Sequence, residues 1–237
     1  FQNELAYFKG VEPQAIEGIP SVAEYAPRDP ALSLDLATIA FLNGDRTSLF
    51  LTGPNQEVRK VADGASLTAP SIDPEKWTWT ASNVGTATRI LALPPGGGPD
   101  QIMTLPVPWL DEATISELRI SRDGARALLV TYSGGRSHVL VAGVVRDADG
   151  VPKTLTTPLE LAATTESGSG IPATQPVDRA KWVSEDAIAV LNTSAEGQVT
   201  PLILRLGADP EPLAGLTGIT GQSVGKGEQE IYVQTQS

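Results

Sequence analysis

Apolar and polar residues alternate with a period of two along most of this chain, in short runs set off by Gly, Pro, Asp, Asn and Ser. That spacing predicts β-strands, whose side chains point alternately to opposite faces. The clearest case is the stretch from Ile115 to Tyr132. Leu118 and Ile120 alternate with polar residues, as in a half-buried strand. Ser121-Arg122-Asp123-Gly124 reads as a turn, in which the aspartate accepts a backbone hydrogen bond and the glycine takes a positive φ without steric cost. Ala127 to Val130 then runs apolar without a break, the pattern of a strand covered on both faces.

This cassette recurs in degraded form, and the recurrences divide the chain. Residues 30–62 hold four short strands, with a hairpin turn at Asn43-Gly44-Asp45-Arg46. Residues 67–105 repeat the scheme, with Trp77 and Trp79 on one face of the second strand and Gly96-Gly97-Gly98-Pro99 turning the chain. Residues 113–162 contain the stretch above, a long strand from His138 to Val145, a turn at Asp147-Ala148-Asp149-Gly150 and one outer strand from Leu155 to Leu161. Thr164 to Thr174, rich in Ser, Gly and Thr, is expected to be a mobile loop. Residues 176–215 form the last full cassette. The tail, 217–237, has two strands only, and the head, 1–20, supplies two more that have no cassette of their own. The apolar residues Leu34, Ile72, Ile120, Trp182 and Val224, each at a first turn, are spaced by 38, 48, 62 and 42 residues. Propeller blades repeat at about 40 to 50 residues, and the Ser/Gly/Thr-rich segment accounts for the long interval. The fold expected is therefore all-β: a single domain over 1–237, a five-bladed β-propeller with four-stranded antiparallel blades. Its ring would be closed by the N-terminal strands joining the C-terminal half-blade, so that no sheet edge is left open. An irregular β-sandwich of similar strand count leaves the head and tail strands unexplained.

Composition narrows the function more than the fold. The 237 residues carry a formal charge of −11 and no basic stripe. Nucleic-acid binding, which draws its affinity from phosphate neutralisation, is disfavoured, and so is attraction to an anionic membrane surface. No cysteine is present, which removes disulfides, thiolate metal sites and a cysteine nucleophile. No apolar run reaches the length of about 18 residues that spans a bilayer. The chain starts at Phe1 without a signal peptide and is expected to be a piece of a longer protein.

Residues that could carry chemistry are few. His138 is the one histidine. It lies in a strand with no G-x-S-x-G elbow to supply a serine, so it reads as an ordinary strand residue, and zinc is nearly excluded. Ser71-Ile72-Asp73-Pro74-Glu75-Lys76-Trp77 looks like the Asp-box hairpin of sialidase-type propellers, a structural turn. Asp147 and Asp149 fall short of the oxygen ligands a calcium loop needs. Asn192-Thr193-Ser194 matches a glycosylation sequon. Trp109, in a Pro-rich connection, reads as a wedge between blades rather than a partner contact, and Trp182 as core. Glu112, Glu117, Glu185 and Glu196 fall in or beside turns and are expected to be solvated. No catalytic, cofactor-binding or metal-ligating set is assigned.

Taken together, Leu67-Thr68-Ala69-Pro70-Ser71-Ile72-Asp73 with Trp77-Thr78-Trp79, and Leu118 to Gly124 with Ala127 to Val130, resemble the C-terminal propeller domain of LpqB-type lipoproteins of actinobacteria. Val141 to Arg146, and Ala180-Lys181-Trp182 followed by Ala187 to Leu191, extend the resemblance in the same order. The first cassette departs from it, with Asp35-Leu36 where an Asp-Gly turn is expected. The resemblance implies a lipid-anchored protein on the extracytoplasmic face of the cell membrane, with its anchor and a further domain preceding this fragment. It implies a non-enzymatic interaction module, accessory to a two-component sensor kinase through the kinase's extracytoplasmic domain (MtrB-like), with no cofactor. The rival readings are a propeller hydrolase of sialidase-like type and a binder of a cell-wall sugar or peptide. Fold alone cannot choose among these.

Overall fold

One turn geometry, repeated, builds the frame. At Ser33–Leu36, Asn43–Arg46, Asp73–Lys76, Ser121–Gly124 and Asp147–Gly150, the fourth residue's N–H donates to the first residue's carbonyl at 2.9–3.1 Å. The fourth residue sits at positive φ in each: Leu36 60°, Arg46 56°, Lys76 67°, Gly124 72° and Gly150 78°. The first residue's side-chain oxygen then accepts a backbone N–H on the exit side. Thr38, Thr47, Trp77, Arg126 and Val151 are the donors, at 2.8–2.9 Å. A short polar side chain at position one thus replaces the backbone partner that a tight turn loses. Position four needs the left-handed region, which glycine enters freely and other residues enter at a cost. The departure at Asp35-Leu36 therefore leaves the turn intact and places a leucine in that region.

The computed structural model describes residues 6–9, 12–84, 87–110, 113–165, 171–172, 177–193, 199–206, 208–212, 219–224 and 231–235. Strands β1 (Ala6–Lys9) and β2 (Glu12–Ala15) form an antiparallel hairpin. Blade one is β3 (Arg28–Leu32), β4 (Ile39–Leu42), β5 (Ser48–Gly53) and β6 (Gln56–Asp63), antiparallel in that order. Blade two is β7 (Ser71–Ile72), β8 (Thr78–Val84), β9 (Ala87–Leu93) and β10 (Met103–Leu105). Blade three begins with β11 (Thr114–Ile120), β12 (Arg126–Ser133) and β13 (Arg136–Arg146). Blade four is β17 (Val177–Trp182), β18 (Ala187–Thr193), β19 (Val199–Arg205) and β20 (Glu211–Pro212). A last hairpin joins β21 (Ile219–Val224) to β22 (Ile231–Thr235). The first strands β3, β7, β11, β17 and β21 stand side by side in chain order, as inner strands around one axis do.

The outer part of blade three differs from expectation. In place of one strand from Leu155 to Leu161, β13 pairs with β14 (Pro152–Leu155) at one end and with β15 (Leu159–Thr165) at the other. Pro158 cannot donate to a ladder, which breaks the run. Thr156 fills the gap, its Oγ1 accepting the Gly143 N–H at 2.8 Å. The predicted mobile loop is also partly ordered: Thr164 and Thr165 belong to β15 and pair in parallel with β16 (Ile171–Pro172), while 166–170 and 173–174 lie outside the described residues. The head and tail hairpins form two separate two-stranded sheets, and among the described residues no ladder joins them.

The core lies between blades. Leu128 and Val130 of β12 pack with Ile188 and Val190 of blade four, whereas Ala127 and Leu129 pack with Trp79 and Leu118. Ile90 and Ala92 of β9 face blade three, and Leu91 and Leu93 face blade one. This is why those middle strands read as unbroken apolar runs: both faces of each are buried against a neighbouring sheet. Each fully buried leucine contributes roughly 1.5–3 kcal/mol. On the far side of blade one, Phe41 and Phe50 stack at 5.4 Å between ring centroids and Tyr25 covers them.

Candidate functional site

Four of the five inner strands carry a bulge, β21 among them between Ile219 and Gly221, and those of β3, β11 and β17 lie beside one cavity. Register shifts fall between Arg28 and Ala31 in β3, Ile115 and Glu117 in β11, and Val177 and Arg179 in β17. A bulge adds one residue to a strand and re-aims the side chains that follow. Its effect is visible at Asp29-Pro30 and at Ser116-Glu117. Both members of each pair line one cavity, although neighbours on a regular strand face opposite ways. Asp29 is held at φ 49°, a conformation that costs a non-glycine residue energy and that concentrates at functional sites.

The cavity has a volume of about 330 Å³. Glu117 and Arg119 reach it from β11, Arg179 and Lys181 from β17, and Asp29 from β3, with Arg46 contributed by the turn between β4 and β5. Within each strand the charged pair is spaced by two and so lies on one face. Arg46 binds Asp29 at 2.7 Å, and Arg119 Nε lies 2.5 Å from Glu117 Oε1. Arg119 also donates from Nη1 to the Pro70 carbonyl at 2.7 Å, which ties blade three to blade two. The buried Asp29 Oδ2, Glu117 Oε1 and Arg119 Nε make these close ion contacts without a hydrogen bond of regular geometry. Burial pushes the Glu117 carboxyl above its ordinary range, opposed by Arg119 and Lys181. Burial also lowers the Lys181 ammonium, as do the neighbouring charges of Arg119 and Arg179, against the pull of Glu117. Four cations face two carboxylates here, so the cavity holds two positive charges in excess within a chain of net charge −11.

The expectation that Glu117 is a solvated turn residue is corrected by this geometry. It lies inside β11, and its side chain is 7% exposed because the bulge turns it inward. The other residues singled out in the sequence take structural places. Asp73 is fully buried: its Oδ1 accepts the Trp77 N–H and its Oδ2 the Trp79 indole N–H, both at 2.9 Å. Arg146 of blade three binds the same Oδ2 at 2.5 Å and Glu75 at 2.8 Å, so the box turn is also a clamp between blades two and three. Asp147 caps its own hairpin and pairs with Lys153 at 2.8 Å. His138 pairs with Glu160 on β15 at 2.7 Å, away from the cavity. Trp109 packs, partly buried, against the cluster shared by blades two and three. Trp182 is partly buried, and its indole donates to the Arg119 carbonyl at 3.3 Å. Asn192 lies within β18, opposite Thr200, while Ser194, Glu112 and Glu196 lie outside the described residues. Among the described residues no cluster of three or more histidines, aspartates or glutamates is placed to hold a metal ion. The sequence reading missed the cavity, yet a signal for it existed: Glu117-x-Arg119 and Arg179-x-Lys181 put charges at period two on strands predicted to be innermost.

Comparison with known proteins bears on the fold and the family. The chain is 29% identical to the lipoprotein LpqB of Rhodococcus opacus over 153 residues, 63% of this chain and 23% of that protein. It is 26% identical to the lipoprotein LpqB of Streptomyces coelicolor over 223 residues, 89% of this chain and 35% of that protein. The chain thus spans 23–35% of the length of these curated relatives. Among solved structures, a chain of the nidogen/laminin complex superposes with a TM-score of 0.61 at 12% identity, covering 94% of this chain and 76% of that one; at such identity the likeness concerns the fold alone. The family model described as the lipoprotein LpqB β-propeller domain matches residues 4–237, and the chain belongs to that family.

Proposed function

We propose that this chain is a non-enzymatic protein-interaction module of a lipid-anchored lipoprotein on the extracytoplasmic face of the cell membrane. In this reading it is accessory to a two-component sensor kinase, whose extracytoplasmic domain it contacts. The observation that carries the reading is the match to the LpqB propeller family over nearly the whole chain, with relatives named as lipoproteins. Four sheets whose first strands stand side by side support it too, because a propeller presents loop faces at both ends of its axis for a partner. The domain reading belongs to the same proposal: one propeller over 1–237, with a fifth blade assembled from 1–20 and 217–237 to close the ring. The position of β21 beside β17 and β19 favours it, since that is where a fifth blade would follow the fourth.

The test is a calorimetric titration of this chain against the purified extracytoplasmic domain of the cognate kinase, at two salt concentrations. Saturable binding is expected, with salt dependence if the acidic surface takes part. A chain that is folded by circular dichroism yet gives no saturable binding at either salt concentration would overturn the reading.

A further inference from the structure

We propose that the bulged cavity is a binding site for one small oxyanion-bearing molecule, held through a phosphate or carboxylate group by Arg119, Arg179 and Lys181. Three observations carry this beyond the role in partner binding. The first is charge. A chain of net charge −11 repels anions in general, yet this one cavity gathers an excess of positive side chains. Arg46 and Arg119 are each engaged with a carboxylate. Arg179 makes no ion pair among the described residues, and it reaches solvent.

The second observation is construction. Register shifts in β3, β11 and β17 coincide at the cavity, and a strained Asp29 holds Arg46 at its edge. Each bulge gives up ladder hydrogen bonds, and those of β3 and β11 bring two neighbouring residues, Asp29-Pro30 and Ser116-Glu117, to line the cavity together. The third is size and donor chemistry. At about 330 Å³, the cavity falls at the lower end of the range of small-molecule sites, roughly 300–1,000 Å³. Guanidinium groups offer planar forks that match an oxyanion's geometry, and an ammonium supplies a compact point charge. Burial first, and then the charges of Arg119 and Arg179, hold the Lys181 ammonium below its ordinary range, and an arriving anion relieves the repulsive part.

The experiment is isothermal titration of the chain with inorganic phosphate and, separately, with citrate, at fixed ionic strength and pH. One-to-one saturable binding of at least one anion is expected; which one binds assigns the phosphate or the carboxylate class. Arg179→Ala and Lys181→Gln should each weaken it by about tenfold or more, the size of one charge-assisted hydrogen bond. The control Lys153→Ala removes a cation of the β13–β14 hairpin, paired with Asp147, and should leave binding unchanged. Thermal melts of all variants separate loss of the site from loss of the fold, and if one cavity variant fails to fold, the other carries the comparison. Absence of saturable heat with both anions overturns the proposal, as does equal weakening by Lys153→Ala, which would reduce the effect to overall charge.

Discussion

The clamp at Asp73 permits a prediction with a worked magnitude. Its carboxylate is wholly buried and takes donors from Trp77, Trp79 and Arg146, whose own side chain is 13% exposed. Replacing it in Asp73→Ala leaves a buried guanidinium, an indole N–H and a backbone N–H without their acceptor. Removing one member of a buried ion pair costs about 3–5 kcal/mol. A domain of this size loses roughly 2–4 °C of Tm per kcal/mol, so a fall of about 6–20 °C is expected. The neighbouring Glu75 binds the same Arg146 but is half exposed, and Glu75→Ala should cost no more than about 1 kcal/mol. Denaturant melts of Asp73→Ala, Arg146→Met and the double variant measure the coupling. The double variant should lose much less than the sum of the two singles, because it leaves neither charge stranded. If Asp73→Ala costs no more than Glu75→Ala, or the two singles add, the carboxylate is not the clamp between blades two and three.

Further predictions concern turns, close contacts and acid. Leu36→Gly relieves a left-handed leucine and should raise stability by up to about 1 kcal/mol, whereas Gly124→Ala, at the equivalent position, should lower it by about 1–2 kcal/mol; paired thermal melts check both. Gly53→Ala would bring a Cβ within 2.2 Å of the Ala37 carbonyl oxygen, so the backbone must shift at a cost of about 1–3 kcal/mol, read as a lower denaturation midpoint at unchanged slope. Hydrogen bonds from Ser48, Ser121 and Ser184 are the main cause holding Asp63, Asp123 and Asp186 below the ordinary carboxylate range, while Lys153 is the main cause at Asp147 and Lys76 at Asp35. A depressed carboxyl stabilises the fold fully above its unfolded pKa of about 4 and loses that contribution as pH falls through the folded value. Tm should therefore decline below about pH 4, and Ser121→Ala should lower the neutral-pH Tm while flattening that decline.

The period-two pattern and the turn residues were enough to place four of the sheets, since both are local. Ser121-Arg122-Asp123-Gly124 specifies its hairpin from within four residues, and Leu128-Leu129 announces a strand buried on both faces without revealing what covers it. Local chemistry also made the Asp-box turn legible, because Asp73 caps the turn it belongs to. What the chain order could not reveal is what depends on partners distant in sequence. Arg146 meets Asp73 across 73 positions, and nothing in either segment names the other. Pro158 and Thr156 split an outer strand that a hydrophobic count reads as continuous. Glu117 looks like a solvated acid in sequence and lies buried, because a bulge shifts the alternation by one residue. The sequence by itself determined strands, turns and the apolar faces that drive blades together, since these follow from backbone sterics and burial within a few residues. The tertiary structure decided the cavity, because charges from β3, β11 and β17 meet only when the sheets pack around one axis and the bulges turn them inward.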